Sequence, residues 1–147
     1  MRIVAIIQAR MGSTRLPGKV LRDIGGASML ARVVSRARQS KLLDEVLVAT
    51  TTEPLDEPIV SACQKLGIPV FRGNQEDVLD RYYRAAGAYQ AEAVVRITSD
   101  CPLIDPEIVD RIVGSFLAER PDYASNTLIR SYPRGLDAEV MSMAALA

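Results

Sequence analysis

The sequence predicts a three-layer α/β domain on a mostly parallel sheet, and three observations predict it. Short β-branched runs alternate along the chain with segments that repeat apolar residues at helical spacing. The connections between them are of ordinary length, which is the pattern of βαβ units. Two of the loops that leave strand ends carry unusual chemistry, and open α/β sheets bind ligands at that end.

The first strand is Arg2–Ile7 (RIVAII), a continuous β-branched run suited to burial on both faces. A loop rich in Gly, Ser, Thr, Arg and Pro follows over Gln8–Lys19. Ser28 can cap a helix that shows Met29, Leu30, Val33, Val34 and Ala37 on one face. Glu45–Thr51 (EVLVATT) is the second strand. Asp56–Leu66 is a helix with Ile59, Val60, Cys63 and Leu66 inward, closed by Gly67. Ile68–Phe71 is a short third strand. Val78, Leu79, Tyr82, Tyr83 and Ala86 mark the next helix, and Ala93–Thr98 (AVVRIT) the fourth strand. Asp105 and Pro106 form an N-cap and first-turn pair for a helix that buries Ile108, Val109, Ile112, Val113, Phe116 and Leu117. Met141–Ala147 reads as the start of another helix. No repeat, low-complexity tract or linker interrupts the series.

Composition bounds the function. The 147 residues carry 18 Lys+Arg, 18 Asp+Glu and no His, which removes His-based acid/base chemistry and His–Zn sites. Cys63 and Cys101 lie far apart and read as reduced thiols of a cytoplasmic protein. No apolar run approaches the ~20 residues of a membrane span. The charge is uneven: residues 1–41 hold nine cations against the single acid Asp23. A basic front and an acidic remainder suit an anionic ligand at one end and cation-holding carboxylates elsewhere. Arg32, Arg36 and Arg38 read as the solvated face of a helix. Few aromatics and zero net charge argue against a nucleic-acid partner.

Four segments bear chemistry. In Gln8–Lys19, Gly12 and Gly18 allow close backbone approach, Ser13 and Thr14 supply hydroxyls, and Arg10, Arg15 and Lys19 supply three cations. These are the parts of a polyphosphate cradle. The loop fails the Walker A test: five residues separate Gly12 from Gly18, Val20 stands at the Ser/Thr position, and no helix starts after Lys19. In Thr98–Asp105, Asp100 lies just past a buried strand, facing the same crevice, where a carboxylate can share Mg²⁺ with substrate phosphates. Asp105 is better read as a helix cap. In Tyr132–Glu139, Asp137 and Glu139 share a face if the segment is extended. They complete a metal site, or Arg134 and Asp137 bind an acceptor, or the segment is a surface hairpin of mixed charge. In Arg72–Asp77, Arg72 or Asn74 can read a nucleobase edge, and a plain helix-entry loop fits equally well. A cradle plus a metal carboxylate points to phosphoryl or nucleotidyl transfer, chemistry that needs positioning and charge neutralisation more than a covalent nucleophile.

The segment IIQARMGSTRLPGKVL resembles the opening of the sugar cytidylyltransferases, which include CMP-N-acetylneuraminate and CMP-KDO synthetases. With RGNQEDVLDRY, VVRITSDCPLIDP and YPRGLDAEV, the chain is most similar to the branch named for spore coat polysaccharide biosynthesis protein F, over about residues 2–141. The resemblance implies a Rossmann-like nucleotide-diphospho-sugar transferase fold. It implies CMP transfer from CTP to a sugar or sugar-acid acceptor with Mg²⁺, releasing pyrophosphate, for surface or spore coat polysaccharide. It places the triphosphate on the Gly12 loop with Ser13, Thr14, Arg10, Arg15 and Lys19, and the base near Ala9, Arg72 and Asn74. Arg15, Lys19 and Asp100 would carry catalysis. Asp100 and Asp137 would hold the metal, and Arg134 and Glu139 the acceptor. Members of the family run on beyond this length, with acceptor contacts and a dimer arm. Residues 1–147 are therefore expected to be one nucleotide-binding domain cut short at its C-terminus, homodimeric where that arm is present. The rival expectations are a non-catalytic nucleotide-binding module and a P-loop-type NTPase.

Overall fold

The computed structural model describes residues 1–147. Its single sheet has six strands: β1 (Ile3–Gln8), β2 (Glu45–Thr51), β3 (Val70–Gly73), β4 (Ala93–Thr98), β5 (Tyr123–Ser125) and β6 (Glu139–Ser142). The spatial order is β3-β2-β1-β4-β6-β5. Strands β1 to β4 run parallel, and the pair β6 and β5 adds an antiparallel edge. The helices are α1 (Met29–Ala37), α2 (Glu57–Leu66), α3 (Val78–Ala88), α4 (Pro106–Glu119) and the short α5 (Met143–Leu146).

Both faces of the sheet are covered. Ile3, Ala5, Ile7, Val46, Val48, Val95 and Ile97 pack against α1, α2 and α4 in the larger core. Val4, Ile6, Leu47, Ala49 and Val94 pack against α3 and α5 in the smaller one. The alternation of a single strand between two cores explains why β1 reads as unbroken hydrophobic sequence.

The helix caps follow the expected chemistry. Ser28 accepts from the Ala31 N–H and Asp105 from the Glu107 N–H. Gly67 closes α2 with φ of 65°. Several details differ from expectation. The third strand lies at Val70–Gly73, shifted toward Gly73 by its pairing with Val48–Thr51. Residues 54–56 form a separate 3₁₀ turn before α2. Leu66, Val78, Leu79 and Tyr83 are exposed, and α3 buries Arg81 and Ala85 beside the expected Tyr82 and Ala86. The final segment is strand β6 before it is helix, because Glu139–Ser142 pairs with β4. The arginines of α1 do more than face solvent. Arg32 donates to the carbonyls of Ile24 and Gly25, Arg36 to Ile104 and Arg38 to Gly67, so each staples a loop to the helix.

Candidate active site at the carboxyl ends of the strands

A cleft of about 740 Å³ opens beyond the carboxyl ends of β1 and β4. Gln8 and Thr98 end the two strands as register partners. The chain crosses from β1 into the loop at Ala9, whose N–H still bonds the Ala49 carbonyl of β2. The loop then curls on itself: the Met11 carbonyl accepts from the N–H groups of Ser13 and Gly18. Gly18 has φ of 70°, a conformation open to glycine at little cost. A 3₁₀ turn over Lys19–Leu21 follows, and α1 begins only at Met29. The loop therefore does not lead directly into an α-helix, which separates it from a P-loop.

The cleft is lined by Arg10, Ser13, Thr14, Arg15 and Lys19 of this loop, by Thr98–Cys101, and by Arg134, Gly135 and Asp137. Arg96 of β4 reaches it too. Five cations thus face two carboxylates, Asp100 and Asp137. Lys19 Nζ lies 3.8 Å from Asp100 Oδ2. The Thr98 hydroxyl donates to Asp100 Oδ1 at 2.7 Å. That hydrogen bond, with Lys19 adding to it against some burial, holds the Asp100 carboxyl below the usual range. Burial pushes the Cys101 thiol up, so the residue next to Asp100 stays protonated at neutral pH.

A side chamber of about 250 Å³ adjoins the cleft and shares Arg96, Thr98 and Asp137 with it. Two ion pairs form its walls. Arg130 holds Asp137 with both ends of its guanidinium, at 2.7 and 3.2 Å. Arg96 pairs with Glu139, its directly opposite partner on β6. Burial acts to raise the Glu139 carboxyl, but hydrogen bonds from Tyr123 and Arg96 outweigh it and bring the group down. Beneath Arg96, burial pushes the Tyr82 phenol up to about 12.

Most of the expected site residues meet here. Arg10, Ser13, Thr14, Arg15, Lys19, Asp100, Arg134 and Asp137 line the cleft, and Glu139 lines the chamber. Four do not line either. Ala9 is buried as the strand ends. Gly12 faces Leu55. The Arg72 guanidinium is taken by Glu57 and the carbonyls of Thr51 and Glu53. The Asn74 side-chain Oδ1 turns its own loop by accepting from the Glu76 and Asp77 N–H groups. Sequence reasoning missed Arg96, Thr98 and Arg130. A charged residue inside the otherwise apolar AVVRIT was the available signal for Arg96.

A family model for cytidylyltransferases matches residues 4–133. The chain belongs to the cytidylyltransferase family. A cytidylyltransferase structure from Leptospira borgpetersenii is 40% identical, with a TM-score of 0.94, over 99% of this chain and 62% of that one. The spore coat polysaccharide biosynthesis protein SpsF of Bacillus subtilis is 41% identical over 95% of this chain. A 3-deoxy-manno-octulosonate cytidylyltransferase of Geobacter sulfurreducens is 38% identical over 87%. This cytidylyltransferase chain spans 59% of the Bacillus protein and 50% of the Geobacter enzyme. The fold is the Rossmann-like one of nucleotidyltransferases, as these neighbours have it. No helix is long and apolar enough to cross a membrane.

Proposed function

We propose that this chain is the nucleotide-binding part of a sugar cytidylyltransferase, moving CMP from CTP to a sugar or sugar acid with release of pyrophosphate. The observation that carries this reading is the convergence of Arg10, Arg15 and Lys19 with Asp100 in one cleft at the strand ends. The likeness to the Bacillus protein extends the proposal to surface or spore coat polysaccharide synthesis in the cytoplasm.

In this reading the triphosphate lies along the loop of residues 10–19. Ser13 and Thr14 donate to phosphate oxygens, while Arg10, Arg15 and Lys19 neutralise them. An acceptor hydroxyl attacks the α-phosphorus in line, and Arg15 and Lys19 offset the charge that grows on the departing pyrophosphate. The chain has no cluster of three or more His, Cys, Asp and Glu side chains able to cage a metal ion. Asp100 and Asp137 do line the cleft together. One or two carboxylates completed by phosphate oxygens and water are the usual donor set for Mg²⁺, so these residues fit that ion. Bound there, Mg²⁺ would supply charge neutralisation between the nucleotide phosphates. Arg134 at the rim and Glu139 in the side chamber face the acceptor.

The test is CTP-dependent pyrophosphate release with sugar and sugar-acid acceptors. Lys19→Ala and Asp100→Ala are each expected to bring release near background. Near-normal turnover in either variant would overturn the assignment. A second reading is nucleotide binding without turnover. Calorimetry showing CTP binding with no pyrophosphate from any acceptor would establish it.

A further inference from the structure

We propose that Asp56 is a positioning residue that aims the phosphate-facing loop through the backbone of Met11, an inference that rests on the nucleotidyl-transfer reading. Asp56 is 4% exposed and stands at the N-cap of α2, yet its side chain caps nothing. Its carboxylate is turned away from the helix. Oδ1 accepts from the Met11 N–H at 2.7 Å, and Oδ2 accepts from the Thr51 hydroxyl. Thr51 Oγ1 in turn accepts from the Glu53 N–H at 3.1 Å.

Met11 is the pivot of the loop. Its carbonyl takes the N–H groups of Ser13 at 2.9 Å and Gly18 at 3.0 Å. Both polar groups of one residue are thus fixed: the carbonyl clasps the loop closed, and the N–H ties the clasp to the β2–α2 junction. Arg10 immediately precedes the clasp, and Ser13, Thr14 and Arg15 lie inside it, all four lining the cleft. A buried carboxylate is costly unless its hydrogen bonds are made, and here both are made, one to the loop that lines the cleft and one to the end of β2. Aimed donors lose their value when their backbone wanders by about 1 Å.

The variants are Asp56→Ala, Asp56→Asn and Thr51→Val. The probes are CTP and inorganic tripolyphosphate, titrated calorimetrically with Mg²⁺, alongside hydrogen exchange of the Met11 amide. Asp56→Ala is expected to weaken both ligands by about tenfold or more, since it removes the charged acceptor that holds Met11. Exchange at Met11 should rise while β1 amides stay protected. Asp56→Asn keeps an acceptor oxygen and should recover most of the affinity. Thr51→Val removes one donor, folds under milder strain and should weaken both ligands by a few-fold. Unchanged affinity in a folded Asp56→Ala protein overturns the proposal, and so does Thr51→Val with wild-type affinity should Asp56→Ala fail to fold. An Asp56→Asn variant as weak as Asp56→Ala also overturns it. If the wild-type chain binds neither probe, the nucleotidyl-transfer reading itself has failed. Binding by the wild type with no effect of the variants rejects only the role of Asp56.

Discussion

Replacing Lys19 by Met separates a binding side chain from a structural one. Lys19 meets one charged partner, Asp100, at 3.8 Å, and the two side chains are 33% and 53% exposed. At that distance two charges attract by about 1 kcal/mol in water and ~4 kcal/mol near a protein surface with an effective dielectric of ~20. Their exposure places the pair at the low end, where exposed ion pairs contribute ~0.2–1 kcal/mol to folding. For a chain of this size that is a melting-point loss of at most about 4 °C. The effect on nucleotide is larger. A charge-assisted hydrogen bond is worth ~1.5–3 kcal/mol, which is about 10- to 150-fold in Kd. Met retains the length and apolar stem, so packing changes little. The assay is paired thermal denaturation without ligand and calorimetry with CTP and Mg²⁺. A small melting shift with a large affinity loss is the expected outcome. A fall of more than ~8 °C, or an affinity within twofold of wild type, would refute the reasoning.

Two further outcomes follow from the same geometry. The Asp100 carboxyl sits below its ordinary range chiefly because Thr98 donates to it. A depressed carboxyl stabilises the fold above its unfolded-state pKa, and that stabilisation is lost as pH falls through the lower folded value. Thr98→Val should therefore move the Asp100 titration to higher pH, read from the carboxyl carbon shift in NMR. Gly73→Ala would place a Cβ 2.9 Å from Arg81 Cγ and 3.2 Å from the Phe71 ring. Overpacking of this kind costs ~1–3 kcal/mol, or roughly 2–12 °C of melting temperature, measured by differential scanning calorimetry.

The parallel half of the sheet was legible because its strands are local statements. IVAII, EVLVATT and AVVRIT are β-branched runs bounded by turns, and Ser28 and Asp105 announce helix starts with their own side chains. The antiparallel edge was not. Strands β5 and β6 are three and four residues long, and β6 exists because β4, more than forty residues earlier, offers it a free edge. Register was equally hidden, so β3 was placed two residues early. The loop of residues 10–19 and Asp100 were legible because several unusual residues crowd a short stretch at a strand end. Arg96 was hidden inside a strand, and its partner Glu139 lies on the edge that sequence did not reveal. Arg72 was misleading for the converse reason. Its type suits base recognition, but Glu57 and two carbonyls from distant segments occupy its guanidinium. Asp56 reads as an ordinary helix start, and the Met11 N–H that it holds is 45 residues away.

The central claim is that the cleft between the residue 10–19 loop and Asp100 is built for CTP. A thermal-shift comparison of CTP, UTP, ATP and GTP, each with Mg²⁺, tests it most directly. A ligand at about 100 times its Kd adds ~2.7 kcal/mol of stability, a rise of roughly 5–10 °C here. CTP should produce that rise, the other three should produce much less, and Lys19→Met, with its affinity loss of about tenfold or more, should cut it to about half or less. An equal response to all four nucleotides, or none to CTP, would contradict the account.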